Sequence, residues 1–129
     1  MFDRIGTMQM AQALTDHAVQ RQKLIAQNVA NADTPDFKAR DLSDFASTYR
    51  SQVSAEMRST RSGHLTGVSW GAESGRVVDD GGEPAPNGNT VSVEEEMIRT
   101  AEARREFDVS LAVTRSAMSL IRTSLGRRS

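Results

Sequence analysis

Hydrophobic positions recur at helical spacing in two stretches of the chain, one at each end, and lose that regularity between them. In the first stretch Ile5, Met8, Ala11, Leu14, Ala18, Ile25, Val29 and Ala32 follow steps of three, four and seven residues. Such steps place them on one stripe of a 3.6-residue helix, and predict a helix over residues 5–32 that is interrupted on that face at Arg21 and Gln22. The stripe is narrow and rich in Ala and Met. Small side chains let a second helix approach closely, and Met adapts to irregular surfaces. Asn28 and Asn31 stand where the helix should end, because Asn tolerates the left-handed C-cap conformation and Pro35 prevents continuation.

The second stretch is longer. Val93, Met97, Thr100, Arg104, Phe107, Leu111, Thr114, Met118, Ile121 and Leu125 alternate steps of four and three, and seven of the ten are apolar. Spacing of that kind sustained over several heptads is a coiled-coil signal. Ser92-Val93-Glu94-Glu95 has the form of a capping box, with the Ser92 hydroxyl accepting from the Glu95 amide and Glu95 reaching back. Glu94, Glu95 and Glu96 suit the positive end of the helix dipole, and Arg122, Arg127 and Arg128 the negative end. A helix of about 33 residues would be roughly 50 Å long. Glu95 and Arg99 form a favourable i,i+4 pair.

Seven of the nine glycines and two of the three prolines fall between Ser62 and Asn89, so the middle reads as irregular. Residues 41–57 predict a short helix with Leu42, Phe45 and Tyr49 on one face. Alternating patches in residues 63–78 (His64-Leu65-Thr66, Val68-Ser69-Trp70) predict short strands, and residues 79–88 (DDGGEPAPNG) an exposed loop. The expected fold is mainly α. Long N- and C-terminal helices pack as a coiled-coil-like pair (residues 1–34 and 91–129). Residues 35–90 carry a turn, a short helix and a flexible Gly/Pro-rich middle with short β-strands.

Composition narrows the function. The 129 residues carry 16 basic and 17 acidic side chains, with a formal net charge of −1. Nucleic-acid binders need a basic excess that is absent here, and the three segments of the chain are each close to balanced. Cysteine is absent, which removes disulfides, thiol catalysis and cysteine-based zinc sites. Aromatic residues make up 5%, so few large side chains are present to fill a core. An antiparallel helix pair covers only part of its two seams, which predicts a marginal isolated chain whose helix ends fray until other helices cover them. His17 is expected away from the seam, as a solvated or packed side chain, and His64 has no carboxylate motif beside it. Asp79-Asp80-Gly81-Gly82 lacks the ligand spacing of a calcium loop. Trp70 is expected as a local core anchor, with an intersubunit contact as the alternative. No hydrolase, nucleotide-binding or dinucleotide-binding fingerprint occurs. The expectation is therefore no catalytic residue, no cofactor and no metal. No stretch is apolar enough to insert in a membrane, and the first residues lack the apolar core of a signal peptide.

Residues 28–41 read NVANADTPDFKARD. Physically this is a helix end, a Thr-Pro turn and a restart. Pro35 pushes Thr34 toward an extended conformation, Asp36 suits a turn, Phe37 offers an apolar anchor, and Lys38 and Arg40 present charge. The string, through Asn28, Asn31, Thr34, Pro35, Phe37, Lys38 and Asp41, resembles the signature of the flagellar basal-body rod and hook protein family, where it follows an N-terminal amphipathic helix. Many members have Gly where this chain has Asp36. A second stretch, residues 87–97 (NGNTVSVEEEM), is similar to the segment before the last helix in the proximal rod member of that family, as is the ending around Ser119-Leu120-Ile121-Arg122. The sister rod protein FlgC has a different segment there.

The resemblance implies a structural subunit of the flagellar rod that polymerises through its terminal helices into the torque-transmitting shaft. It implies export by the flagellar type III apparatus without a cleaved signal peptide, and a place in the periplasmic rod of the basal body. Implied partners are other copies of the chain, the rod proteins FlgC, FlgF and FlgG, the adaptor FliE and the MS-ring protein FliF. Leu14, Ile25, Val29, Phe107, Leu111, Met118, Ile121 and Leu125 are the expected packing residues of the assembly. Arg104 lies on the same stripe and is expected to pair with an acidic group of a neighbouring subunit. The alternative is a helical adaptor that docks one amphipathic helix into a partner groove.

Overall fold

A computed structural model of the chain describes residues 2–54 and 75–126, with side-chain burial for residues 6–51 and 75–126. Five elements follow one another: α1 (Phe2–Ala30), β1 (Arg40–Leu42), α2 (Phe45–Ser54), β2 (Val77–Asp79) and α3 (Val93–Gly126). α1 and α3 have 29 and 34 residues and lie side by side. They run antiparallel, because Thr15 meets Ser110, Arg21 meets Glu102 and Asn28 meets Glu96.

Small side chains make the contact. On α1 the buried apolar residues are Ala11, Ala18 and Ile25, and on α3 the buried residues are Glu96, Ala103, Ser110 and Ala117. Both sets repeat every seven residues, the period of helices that stay in register along their length. Alanine and serine at that repeat allow the backbones to come close. Across the seam Thr15 Oγ1 and Ser110 Oγ are 2.7 Å apart. Each hydroxyl also faces a carbonyl of its own helix, Thr15 that of Ala11 at 2.9 Å and Ser110 that of Phe107 at 2.6 Å, so two hydrogens serve three contacts.

The apolar stripe expected on the last helix is not its line of contact with α1. Met97, Arg104, Leu111 and Met118 each follow a buried residue by one position, which turns them by about 100° from the seam. Thr100, Phe107, Thr114 and Ile121 follow by four, a turn of about 40°. Phe107, Leu111, Thr114 and Ile121 are accordingly half-buried, whereas Met97 is 69%, Met118 48% and Leu125 66% exposed. The close approach of α1 needs small residues at the seam, so α3 turns its large apolar side chains outward. On α1, Ile25 is buried, Leu14 half-buried and Val29 exposed.

At one end of the helix pair a two-stranded antiparallel sheet pairs Arg40 with Asp79, Asp41 with Val78 and Leu42 with Val77. Backbone bonds from Ser43 N to Arg76 O and from Asp80 N to Ala39 O extend the ladder at both ends. Leu42 is buried in β1, ahead of a helix that starts at Phe45, so the short helix begins later than the pattern predicts. β1 was not foreseen, and β2 lies at the end of the stretch expected to hold strands. The other expected strand patches, with His64 and Trp70, lie outside the described residues. Among the described residues no helix is long and apolar enough to cross a membrane.

Candidate functional site

The two sequence stretches that stand out along the chain, residues 28–41 and 87–97, meet at one end of the helix pair. α1 ends at Ala30, where its last carbonyl groups have no partner within the helix. The turn amides of Asn31 and Ala32 take the carbonyls of Gln27, Asn28 and Val29, and Asn89, 3% exposed, takes those of the turn that follows. Its side-chain amide donates to the carbonyls of Asn31 (2.8 Å), Ala32 (2.9 Å) and Thr34 (2.8 Å), while its Oδ1 accepts from the Val91 amide at 2.7 Å. Asn28, 1% exposed, works in the other direction. Its Oδ1 accepts from Arg40 N and its Nδ2 donates to Arg40 O, so the carboxamide pairs like a strand neighbour, and Nδ2 also donates to Glu96 Oε1 at 3.1 Å. Asn31 closes the turn locally through Gln27 O and the Thr34 hydroxyl.

Backbone bonds then zip the stretches together. Asp36 N donates to Asn87 O, Thr90 N to Phe37 O, and Ala39 N to the Thr90 hydroxyl. Lys38 Nζ donates to the Gly88 carbonyl at 3.0 Å. Asp36 sits at φ 59° and Gly88 at φ 81°, both in the left-handed region. Asp is among the few residues other than Gly that enter this region readily. Phe37 is half-buried, and Thr34 and Pro35 are exposed. Beyond the turn, Ser92 caps α3 by accepting from Glu95 N at 3.5 Å, and its hydroxyl donates to Glu94. Glu95 turns to Arg99 at 3.6 Å, so only half of the expected box forms.

An ion network lies between the motif end and the middle of the seam. Arg21 grips Asp41 with two bonds of 3.0 and 3.1 Å and reaches Glu102 (3.1 Å) and Glu106 (3.2 Å). Arg99 pairs with Asp80, with Glu96 at 2.8 Å, with Glu95, and with Asp41 at 3.8 Å. Carboxylates outnumber guanidiniums six to two. Burial opposes charge on both arginines. For Arg21 the hydrogen bonds and charge of Asp41, aided by Glu106 and Glu102, outweigh it. For Arg99 those of Asp80, with Glu96 and Asp41, do the same, so both guanidiniums are held above their ordinary pKa. Glu96 goes the other way for a carboxylate. Burial is the largest influence and pushes its pKa up, the Asn28 bond and the Arg99 charge pull it down, and with Asp80 and Asp41 also pushing up the net shift is upward. Its Oε2 is buried without a hydrogen-bond partner among the described residues.

His17 is not away from the seam. It is 3% exposed, its Nε2 donates to the Ser43 carbonyl at 2.9 Å, and its ring meets Phe45 edge-on at 5.5 Å. Its Nδ1 lies 3.5 Å from Glu106 Oε2. Phe45 stacks in turn on Tyr49, so α2 is joined to α1 through this aromatic chain. The polar residue that interrupts the α1 stripe, Arg21, proves to be the hub of the seam. The sequence pattern gives Arg21, Asp80, Asn89 and Glu96 no part in a shared network, and it pairs Arg99 with Glu95 alone, a contact that the structure contains at 3.6 Å. The seven-residue repeat of Glu96 with Ala103, Ser110 and Ala117 was the signal that could have found part of this set. Among the described residues no group of three or more His, Asp or Glu side chains is placed to hold a metal ion.

No family model matches the chain. Full-length relatives do. A flagellar basal body rod protein FlgB of Agrobacterium fabrum is 35% identical over 104 residues, covering 74% of this chain and 75% of that protein. The chain belongs to the FlgB family. FlgB of Yersinia enterocolitica is 30% identical over 128 residues, covering 88% of this chain and 89% of the relative. FlgB of Cereibacter sphaeroides is 29% identical over 123 residues, covering 95% and 94%. At 95% of the chain, the Cereibacter sphaeroides relative takes in most of both helices and the docked motif segments between them.

Proposed function

We infer that this FlgB-family chain is a structural subunit of the proximal rod of the flagellar basal body, and that it acts by packing its terminal helices against those of neighbouring subunits. The observation that carries the mechanism is the set of large apolar side chains that α3 leaves exposed on both flanks of its seam with α1. Met97, Ile98, Met118, Leu120 and Leu125 are between 48% and 69% exposed on a helix whose inner face is already occupied by α1. A monomer has no use for a long helix with large apolar side chains on its solvent side, whereas a tube of interlocked helices covers them. The docked motif end holds the hairpin at a fixed geometry, so a load applied to one helix passes to the other. The chain then transmits torque and carries out no reaction.

The partners proposed with this role are further copies of the chain, FlgC, FlgF and FlgG in the rod, FliE as adaptor and FliF in the MS-ring. Export through the flagellar type III apparatus without a cleaved signal peptide completes the proposal, with the periplasmic rod as destination. Deletion in the source bacterium should abolish swimming and leave incomplete basal bodies, and the chain supplied in trans should restore both and co-purify with basal bodies. Normal basal bodies on deletion, with a saturable 1:1 complex of the chain and one partner, would point to the adaptor reading instead.

A further inference from the structure

Two triplets on α3 share one spacing and carry opposite charge. Arg115, Met118 and Arg122 stand at positions i, i+3 and i+7, and so do Glu95, Ile98 and Glu102. On a 3.6-residue helix each triplet forms a single ridge, with its two charges about 10.5 Å apart and the apolar residue between them. Measured from the seam, which repeats every seven residues, the ridges lie about 100° apart around the helix axis, one on each flank of the side turned away from α1. All six side chains reach solvent. Arg115 and Arg122 are exposed, Met118 is 48% and Ile98 62% exposed, and the Glu95 and Glu102 side chains are 58% and 55% exposed. Glu95 and Glu102 touch Arg99 and Arg21, but that network holds six carboxylates to two guanidiniums, so its solvent edge stays negative.

We propose that the basic triplet Arg115–Met118–Arg122 of one copy seats on the acidic triplet Glu95–Ile98–Glu102 of the next copy. This contact rests on the rod-subunit reading above and names the faces it uses. Equal spacing lets both ion pairs form at once in a parallel neighbour shifted by 20 residues, or about 30 Å. Met118 then lies on Ile98, covering two apolar side chains that each monomer leaves in water. Because the two faces differ and point apart, the contact is head-to-tail, and repetition gives an open helical array or a ring rather than a closed dimer. The occupant is a second copy of this chain, since charge, spacing and apolar centre all match within one sequence.

Sedimentation velocity of the full chain over a range of concentration and salt tests the contact. The wild type should self-associate at low salt and less so at high salt. Arg115→Glu/Arg122→Glu and Glu95→Lys/Glu102→Lys should each weaken association about tenfold or more through like-charge repulsion, and an equimolar mixture of the two should regain it. A reversed variant that associates as the wild type does would overturn the proposal, as would a wild type that stays monomeric throughout, which would assign the faces to a different protein. Should the lysine variant fail to fold, cysteine pairs decide, because the chain has no cysteine of its own. Ile98→Cys/Met118→Cys should give an oxidant-dependent ladder of oligomers that neither single variant gives, and equal yields from all three would sink the contact. Failure of the rod reading shows separately, as absence of the chain from basal bodies.

Discussion

At Asp36 and Gly88 the two motif stretches touch backbone to backbone, and both residues have positive φ. A side chain at Gly88 would run into Asp36 Oδ1, and its Cβ would also come within 3.4 Å of the Asp36 Cα. Two penalties therefore act on Gly88→Ala, the left-handed backbone and the collision, and together they should cost about 1–3 kcal/mol. Asp36→Gly removes the colliding carboxylate and places the residue preferred by left-handed φ at position 36. The double variant should recover part of the loss, giving a non-additive cycle in urea unfolding. Full additivity would show that the two stretches are not pressed together here. The turn itself was legible, since Asn28, Asn31, Pro35 and Asp36 each have a local reason to be where they are. The role of Asn89 was not, because a side-chain amide that holds a turn 55 or more residues away leaves no mark on local pattern.

Both long helices could be read from their periodicity to within a few residues, but not the rotation of α3. Hydropathy weights Met97, Met118 and Leu125 above Ala103, Ser110 and Ala117, so it selects the stripe with the larger residues, whereas close packing selects the smaller. Ala103, fully buried, should therefore be the sensitive position. Ala103→Leu forces the helices apart at a cost of about 1–3 kcal/mol, while Met97→Ala, at an exposed site, should change stability by less than about 0.5 kcal/mol. Thermal unfolding of the two variants measures the contrast, and a reversal would restore the stripe drawn from the sequence. Glu96 gives a second prediction on the same seam. Its folded-state pKa is raised by burial, so it binds its proton more tightly in the folded chain than in the unfolded one. Its stability contribution is present below the ordinary carboxylate value and is lost as pH rises through the raised one. Glu96→Gln should thus be more stable than the wild type near neutral pH, with the gap closing in acid. A variant less stable at neutral pH than in acid, relative to wild type, would mean that the Arg99 charge outweighs burial.

Across the whole molecule the fastenings are unevenly spread. The Asn28 and Asn89 bonds, the strand pair and the Arg21 and Arg99 network all lie at the motif end, over residues 17–42 and 77–106. Toward the other end the buried Ala11 and Ala117 and the Thr15–Ser110 hydroxyl pair lie along the seam, and no ion pair between the helices is found there among the described residues. That distribution follows from the sequence once the fold is known, since Arg21, which interrupts the α1 stripe, and Glu96, the charged member of the buried α3 repeat, lie toward the motif end. It was hidden beforehand, because ion pairs between residues 20 to 85 apart have no periodic signature. Opening free energy should therefore fall along the hairpin away from the motifs. In native-state hydrogen exchange of the purified chain, amides of Leu24–Asn28 and Arg99–Ala103 should be the slowest, and those near Phe2 and Gly126 should exchange fastest. Uniform protection along both helices would contradict this gradient, and would mean that the small-residue seam closes the far end without help. With the gradient present, the loose end is the one bearing Arg115, Met118 and Arg122, and the firm end bears Glu95, Ile98 and Glu102. A neighbour shifted along the axis would then lay its clasped end over the frayed end of the copy before it, so protection near residues 115–122 should rise on self-association while that near residues 24–28 stays as it was.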